Sequence, residues 1–123
     1  MKKVVLLIDD DEDEPEILRE ALIKIDASAD CYFANSAEKA LALLQDLKPD
    51  LIFVDYNMPK MNGLKCIEEI KKNRSYKNIP LILYSTSLDA DIIRKASDLG
   101  VIACINKTHD LDSLSEKLKK ILL

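Results

Sequence analysis

Apolar residues along this chain fall into two kinds of segment that alternate. Val4–Ile8, Leu51–Val54, Ile79–Tyr84 and Val101–Ile105 are short apolar runs, too short for helices and rich in β-branched residues. Ala29–Ala34 is a weaker run of the same sort. Between the runs, apolar positions recur three and four residues apart, the spacing of one helical face. Ile17, Leu18, Ala21, Leu22 and Ile25 follow Pro15, which suits a first helical turn. Ala40, Leu41, Leu44 and Leu47 follow Ser36, a good N-cap, and precede Pro49, which ends the helix. Leu64, Ile67 and Ile70 mark a third helix. Ile92, Ile93, Ala96 and Leu99 mark a fourth, with Gly100 as its C′ stop. Asp110 caps a fifth, with Leu111, Leu114, Leu118 and Ile121 facing inward.

This pattern predicts a β-α unit five times over, forming one domain across residues 1–123 with no room for an output domain. Strands that are apolar throughout predict a parallel sheet covered on both faces. Right-handed crossovers then make it an open, doubly wound α/β sheet. No hairpin signal, linker or repeat interrupts the alternation.

Composition narrows the function. Apolar residues make up 48% and charged residues 33%, which excludes intrinsic disorder. The balance of 18 basic against 22 acidic residues, net −4, argues against nucleic acid or an anionic membrane as a partner. No apolar run approaches the ~20 residues that span a bilayer. The first run meets acids after five residues, unlike a signal peptide. Cys31, Cys66 and Cys104 are odd in number and lack CxxC spacing. Neither a disulfide framework nor a zinc site is indicated, and a reducing cytoplasm is the expected location.

In a doubly wound sheet, ligands bind beyond the carboxyl ends of the strands. Asp9, Asp10 and Asp11 follow the first predicted strand, Asp55 the third, Ser85 and Thr86 the fourth, and Lys107 the fifth. Clustered carboxylates repel unless a cation joins them. Hard oxygen donors without histidine or thiolate point to Mg²⁺. A carboxylate beside such an ion can attack phosphorus and form an aspartyl-phosphate. Lys107 and the Ser85 hydroxyl can then contact phosphoryl oxygens. Each fragment also has a plainer reading. The acids of Asp9–Glu16 suit a solvated helix N-terminus. Asp55 suits a turn, Ser85-Thr86-Ser87 an N-cap cluster, and Lys107 a surface. Their joint placement at four strand ends favours the chemical reading.

The most specific segment is Asp50–Gly63, an apolar strand ending in Asp55 with Asn57, Pro59 and Gly63 beyond it. With Asp9-Asp10, Ser85 and Lys107, it resembles the receiver domain of bacterial two-component response regulators, over essentially the whole chain. The resemblance implies a flavodoxin-like strand order, 2-1-3-4-5. It implies that Asp55 accepts a phosphoryl group from a histidine kinase or histidine phosphotransfer protein. Asp10 and Asp55 would bind Mg²⁺ directly, Asp9 through a water, and Asn57 by its backbone carbonyl. Ser85, with Thr86 beside it, would move toward the phosphoryl group and Lys107 would pair with it, while Pro59 and Gly63 shape the turn. The protein would be a phosphorylation-driven switch, an enzyme only toward its own phosphorylation and dephosphorylation. Its signal would leave through the fourth helix, fifth strand and fifth helix to a downstream protein, or as an onward phosphoryl transfer.

Three positions depart from the family pattern. Thr108 follows the lysine where proline is common, Cys104 stands where a switch aromatic is common, and Asn106 replaces an apolar residue. His109 reads as a loop or packing residue and Tyr84 as sheet packing. A small phosphatase of the haloacid dehalogenase kind is the enzymatic alternative, since Asp9-x-Asp11 superficially matches its motif. It lacks an acidic pair after strand four or five and leaves Asp55–Gly63 unexplained. A phosphorylation-independent interaction module would be favoured by a missing acid, serine or lysine, and none is missing.

Overall fold

In the computed structural model, which describes residues 2–107 and 110–122, five strands and five helices alternate. They are β1 (Lys3–Ile8), α1 (Glu14–Lys24), β2 (Ala29–Ala34), α2 (Ala37–Leu43) and β3 (Leu51–Val54). There follow α3 (Gly63–Lys72), β4 (Leu81–Ser85), α4 (Ala90–Asp98), β5 (Ala103–Asn106) and α5 (Leu111–Leu122). All pairings are parallel, in the order β2-β1-β3-β4-β5.

Side-chain alternation explains why the central strands are almost wholly apolar between their ends. Along β1, Leu6 and Ile8 join a core with Leu44, Ile67, Ile70 and Ala96, under α2, α3 and α4. Val5 and Leu7 point the other way, into a core with Leu18, Leu22, Leu114 and Leu118, under α1 and α5. Both faces are dry, so both parities must be apolar. Each buried Leu or Ile contributes about 1.5–3 kcal/mol. The edge strand β2 is half-buried and alternates, which is why its run is the weakest.

Several boundaries differ from the sequence reading. Strand β4 starts at Leu81, not Ile79, because the Ile79 N–H closes a turn onto the Tyr76 carbonyl. Ser85 is therefore the last residue of β4, paired with Asn106, rather than the first residue beyond it. Strand β5 starts at Ala103, because the Val101 N–H reaches back to the Ala96 carbonyl. Helix α2 stops at Leu43 rather than reaching Leu47, although Leu44 is still buried. The N-cap of α4 is Asp89, whose Oδ1 accepts from the Ile92 N–H, so Ser85-Thr86-Ser87 is not that cap. Ile93, expected on the inner face of α4, is 41% exposed. Gly100 does end α4, at φ +90°. Thr108 and His109 lie outside the described residues.

Candidate functional site

The parallel arrangement delivers the ends of β1, β3, β4 and β5 to one rim. The Asp55 N–H donates to the Ile8 carbonyl at 2.9 Å, locking the residue after β3 against the end of β1. The Lys107 N–H donates to the Ser85 carbonyl at 2.9 Å and does the same for β5 and β4. Asp10, Asp11, Glu14, Asp55, Asn57, Thr86 and Lys107 line an open cleft of about 380 Å³ at this rim.

Asp9, Asp10 and Asp55 each present a carboxylate oxygen, all within 4.8 Å of one another. Asp9 and Asp55 are buried, and Asp10 faces solvent. Against them sits the Lys107 ammonium, its side chain 8% exposed. Its Nζ lies 2.6 Å from Asp9 Oδ2 and 3.3 Å from Asp55 Oδ2. Burial works against the Lys107 charge, but Asp9, Asp55 and Glu14 outweigh it and hold its pKa above the ordinary lysine value. Burial pushes Asp9 up to about 7, and the Asp55 charge adds to this, against Lys107 and the Asp11 N–H, which pull it down. Asp9 Oδ2 is buried without a hydrogen bond among the described residues, its contact with Lys107 being an ion pair.

These residues fit a divalent hard cation. The donors are all carboxylate oxygens, and two of the carboxylates are buried against one ammonium. Such a site gains from a second positive charge that keeps open positions for phosphate oxygens.

The turn after β3 is shaped by a glycine. A Cβ at Gly63 would lie 2.3 Å from the Asp55 carbonyl oxygen and 2.8 Å from Tyr56 Cα. The Gly63 N–H donates to the Tyr56 carbonyl at 2.8 Å, so α3 starts directly beneath the acid. Pro59 and Lys60 form the outer bend, with Lys60 at φ +70°. Asn57 Nδ2 donates to Ser87 Oγ at 2.6 Å, bridging the β3–α3 and β4–α4 loops. The Ser87 N–H in turn donates to Ser85 Oγ at 3.4 Å. Ser85 is fully buried, whereas Thr86 stands at the cleft wall.

The sequence reading missed Glu14. It belongs to the acidic run assigned to a solvated helix end, yet it is 7% exposed. Its Oε2 accepts from the Tyr84 hydroxyl at 2.9 Å and its Oε1 lies 4.0 Å from Lys107 Nζ. The signal available was Tyr84 itself, a phenol in an otherwise aliphatic buried strand that needs a partner.

The sequence profile of the response regulator receiver domain matches residues 5–119. The chain belongs to that family. Receiver domains are the signalling switches of two-component systems, phosphorylated on an aspartate, and they bind Mg²⁺ or Mn²⁺. They interact with histidine kinases or phosphotransfer proteins and with downstream targets. The receiver is 28% identical to the probable C4-dicarboxylate response regulator DctR of Bacillus subtilis, over 94% of this chain but only half of DctR. It is 28% identical to the response regulator Rcp1 of Synechocystis, over 97% of this chain and 86% of Rcp1. The crystal structure of the phosphorylated cyanobacterial phytochrome response regulator RcpA matches at TM-score 0.86 and 30% identity, covering 98% of this chain and 91% of that one. The Mn²⁺-bound form of Rcp1 matches at 0.83 and 28%, covering 97% and 91%. Among the described residues, no helix of the receiver is long and apolar enough to cross a membrane.

Proposed function

We propose that this receiver accepts a phosphoryl group on Asp55 and signals through protein contacts. The observation that supports this most is the Lys107 ammonium, 3.3 Å from Asp55 Oδ2, beside Asp9 and Asp10 whose carboxylates converge with Asp55 within 4.8 Å.

The Asp55 carboxylate attacks the phosphorus of a phosphohistidine on a kinase or phosphotransfer protein. The P–O bond forms as the P–N bond breaks, and the departing imidazole nitrogen takes up a proton. Asp10, Asp55 and the Asn57 backbone carbonyl would hold Mg²⁺, with Asp9 acting through a water, and the ion would supply positive charge against the phosphoryl oxygens. Lys107 pairs with one phosphoryl oxygen by charge-assisted hydrogen bonding. Pro59 and Gly63 keep Asp55 at the rim. Ser85 begins buried, so it reaches the phosphoryl group only if the β4–α4 loop moves with it, whereas Thr86 already stands at the cleft wall.

Output runs through α4, β5 and α5 to a protein target. Ile93 on α4 and Ile102 just before β5 are 41% and 57% exposed, apolar surface suited to a partner. A phosphodonor such as phosphoramidate, with Mg²⁺, tests the reading by intact mass. One phosphoryl mass is expected on the wild type and none on Asp55→Ala. An equal adduct on both would remove Asp55 from the role.

A further inference from the structure

Resting on the reading of Asp55 as phosphoacceptor, a further role falls to Glu14. It is buried, it is not among the converging carboxylates, and its two oxygens are engaged differently. Oε2 takes the Tyr84 hydroxyl at 2.9 Å, while Oε1 is turned to Lys107 Nζ at 4.0 Å. The same ammonium lies 5.6 Å from the centroid of the Tyr84 ring. Glu14 and Tyr84 together therefore make a third seat for the lysine, beside those at Asp9 and Asp55.

We propose that Glu14, anchored by Tyr84, is a positioning residue for the Lys107 ammonium: it favours metal loading at Asp9, Asp10 and Asp55 and opposes the phosphoryl group on Asp55. Three carboxylates, Asp9, Asp55 and Glu14, share one ammonium. A dication is welcome in that field. A phosphoryl group brings more negative charge and is not. Glu14 also competes for the lysine. Every part of the ammonium's time spent at Glu14 leaves Asp9 and Asp55 freer for the metal, and leaves a phosphoryl oxygen less well paired. Both effects give the same pair of signs, which are opposite for the two ligands. A merely structural role for Glu14 would shift both measurements together or neither.

Glu14→Gln keeps the shape and an acceptor for the Tyr84 hydroxyl while removing the charge. Two quantities are measured at neutral pH: affinity for Mg²⁺ alone by calorimetric titration, and the rate of adduct formation from phosphoramidate at saturating Mg²⁺ by intact mass. Relative to wild type, Mg²⁺ affinity falls and adduct formation speeds up, each by about threefold or more, as a nearby charge in a partly buried site requires. Unchanged values, or both falling together, overturn the proposal. Glu14→Met, similar in size and uncharged, gives the same two readings should the glutamine variant fold poorly. Absence of any adduct on the wild type overturns the Asp55 reading and this proposal with it. A normal wild-type adduct with an unresponsive Glu14→Gln overturns this proposal alone.

Discussion

Lys107 Nζ lies closer to Asp9 Oδ2, at 2.6 Å, than to Asp55 Oδ2, at 3.3 Å. The lysine therefore pairs first with the acid that follows β1 and second with the proposed phosphoacceptor. A cation held by Asp9, Asp10 and Asp55 would compete with that pairing and leave the ammonium available to a phosphoryl oxygen, which would link metal loading to lysine positioning.

The first prediction concerns the exposed member of the cluster. Asp10 converges with Asp9 and Asp55, whereas Asp11 turns back to accept from the Asp13 N–H. Asp10→Asn should weaken Mg²⁺ binding by about tenfold or more, since even residues that only support ligands cost that much. Asp11→Asn should have a smaller effect. Calorimetric titration of both variants checks this, and equal losses would place Asp11 in the site.

The second concerns pH. Asp9 is held near 7 in the folded state against an ordinary value of 3.8. Between those values the folded protein binds more protons at Asp9 than the unfolded chain does. Stability from this group is therefore greatest at low pH and is lost as pH rises from about 4 to about 7. Asp9→Asn removes the effect, so the Tm of the variant should gain on that of metal-free wild type across this window. Saturating Mg²⁺ should close the gap by binding the ionised carboxylate. A Tm difference independent of pH would contradict the assignment.

The third concerns Gly63. Its Cβ position is filled by the Asp55 carbonyl. Gly63→Ala must shift backbone, not a flexible side chain, and should destabilise by about 1–3 kcal/mol or more by chemical denaturation. The shift falls on the acid itself, so adduct formation from phosphoramidate should slow as well. A variant of wild-type stability would mean that the turn adapts freely.

The fourth concerns how a signal would leave the rim. Asn57, Ser87 and Ser85 form a hydrogen-bonded chain from the β3–α3 loop to the end of β4. Cys104, half-buried on β5, is too small to act as an aromatic rotamer switch. On adding beryllofluoride with Mg²⁺, a mimic of the aspartyl-phosphate, amide NMR shifts should cluster at residues 85–92 and 101–107 and at 110 and 111. They should survive in Cys104→Ser. Changes confined to the rim would remove α4, β5 and α5 from the output path.

The fold was legible because the central strands are buried on both faces, so Leu6, Phe53 and Leu83 sit in unbroken apolar runs that nothing but a covered parallel sheet explains. Strand ends were less legible. Ile79 and Val101 look like strand residues, but each spends its N–H on a local turn, a choice of backbone bonding that side-chain character does not encode. Most of the site followed from topology, since parallel strands place Asp9, Asp55 and Lys107 at one edge whatever lies between them. Glu14 was not legible. Among seven acids in the eight positions from Asp9 to Glu16, only the packing of α1 over Tyr84 and Lys107 singles it out.

The central claim is that phosphorus bonds to Asp55. Borohydride reduction after treatment with phosphoramidate and Mg²⁺ converts an aspartyl-phosphate to homoserine, and peptide fragmentation then locates the altered residue. The account predicts homoserine at position 55 alone, dependent on Mg²⁺. Homoserine at 9, 10 or 11, with Asp55 intact, would contradict it.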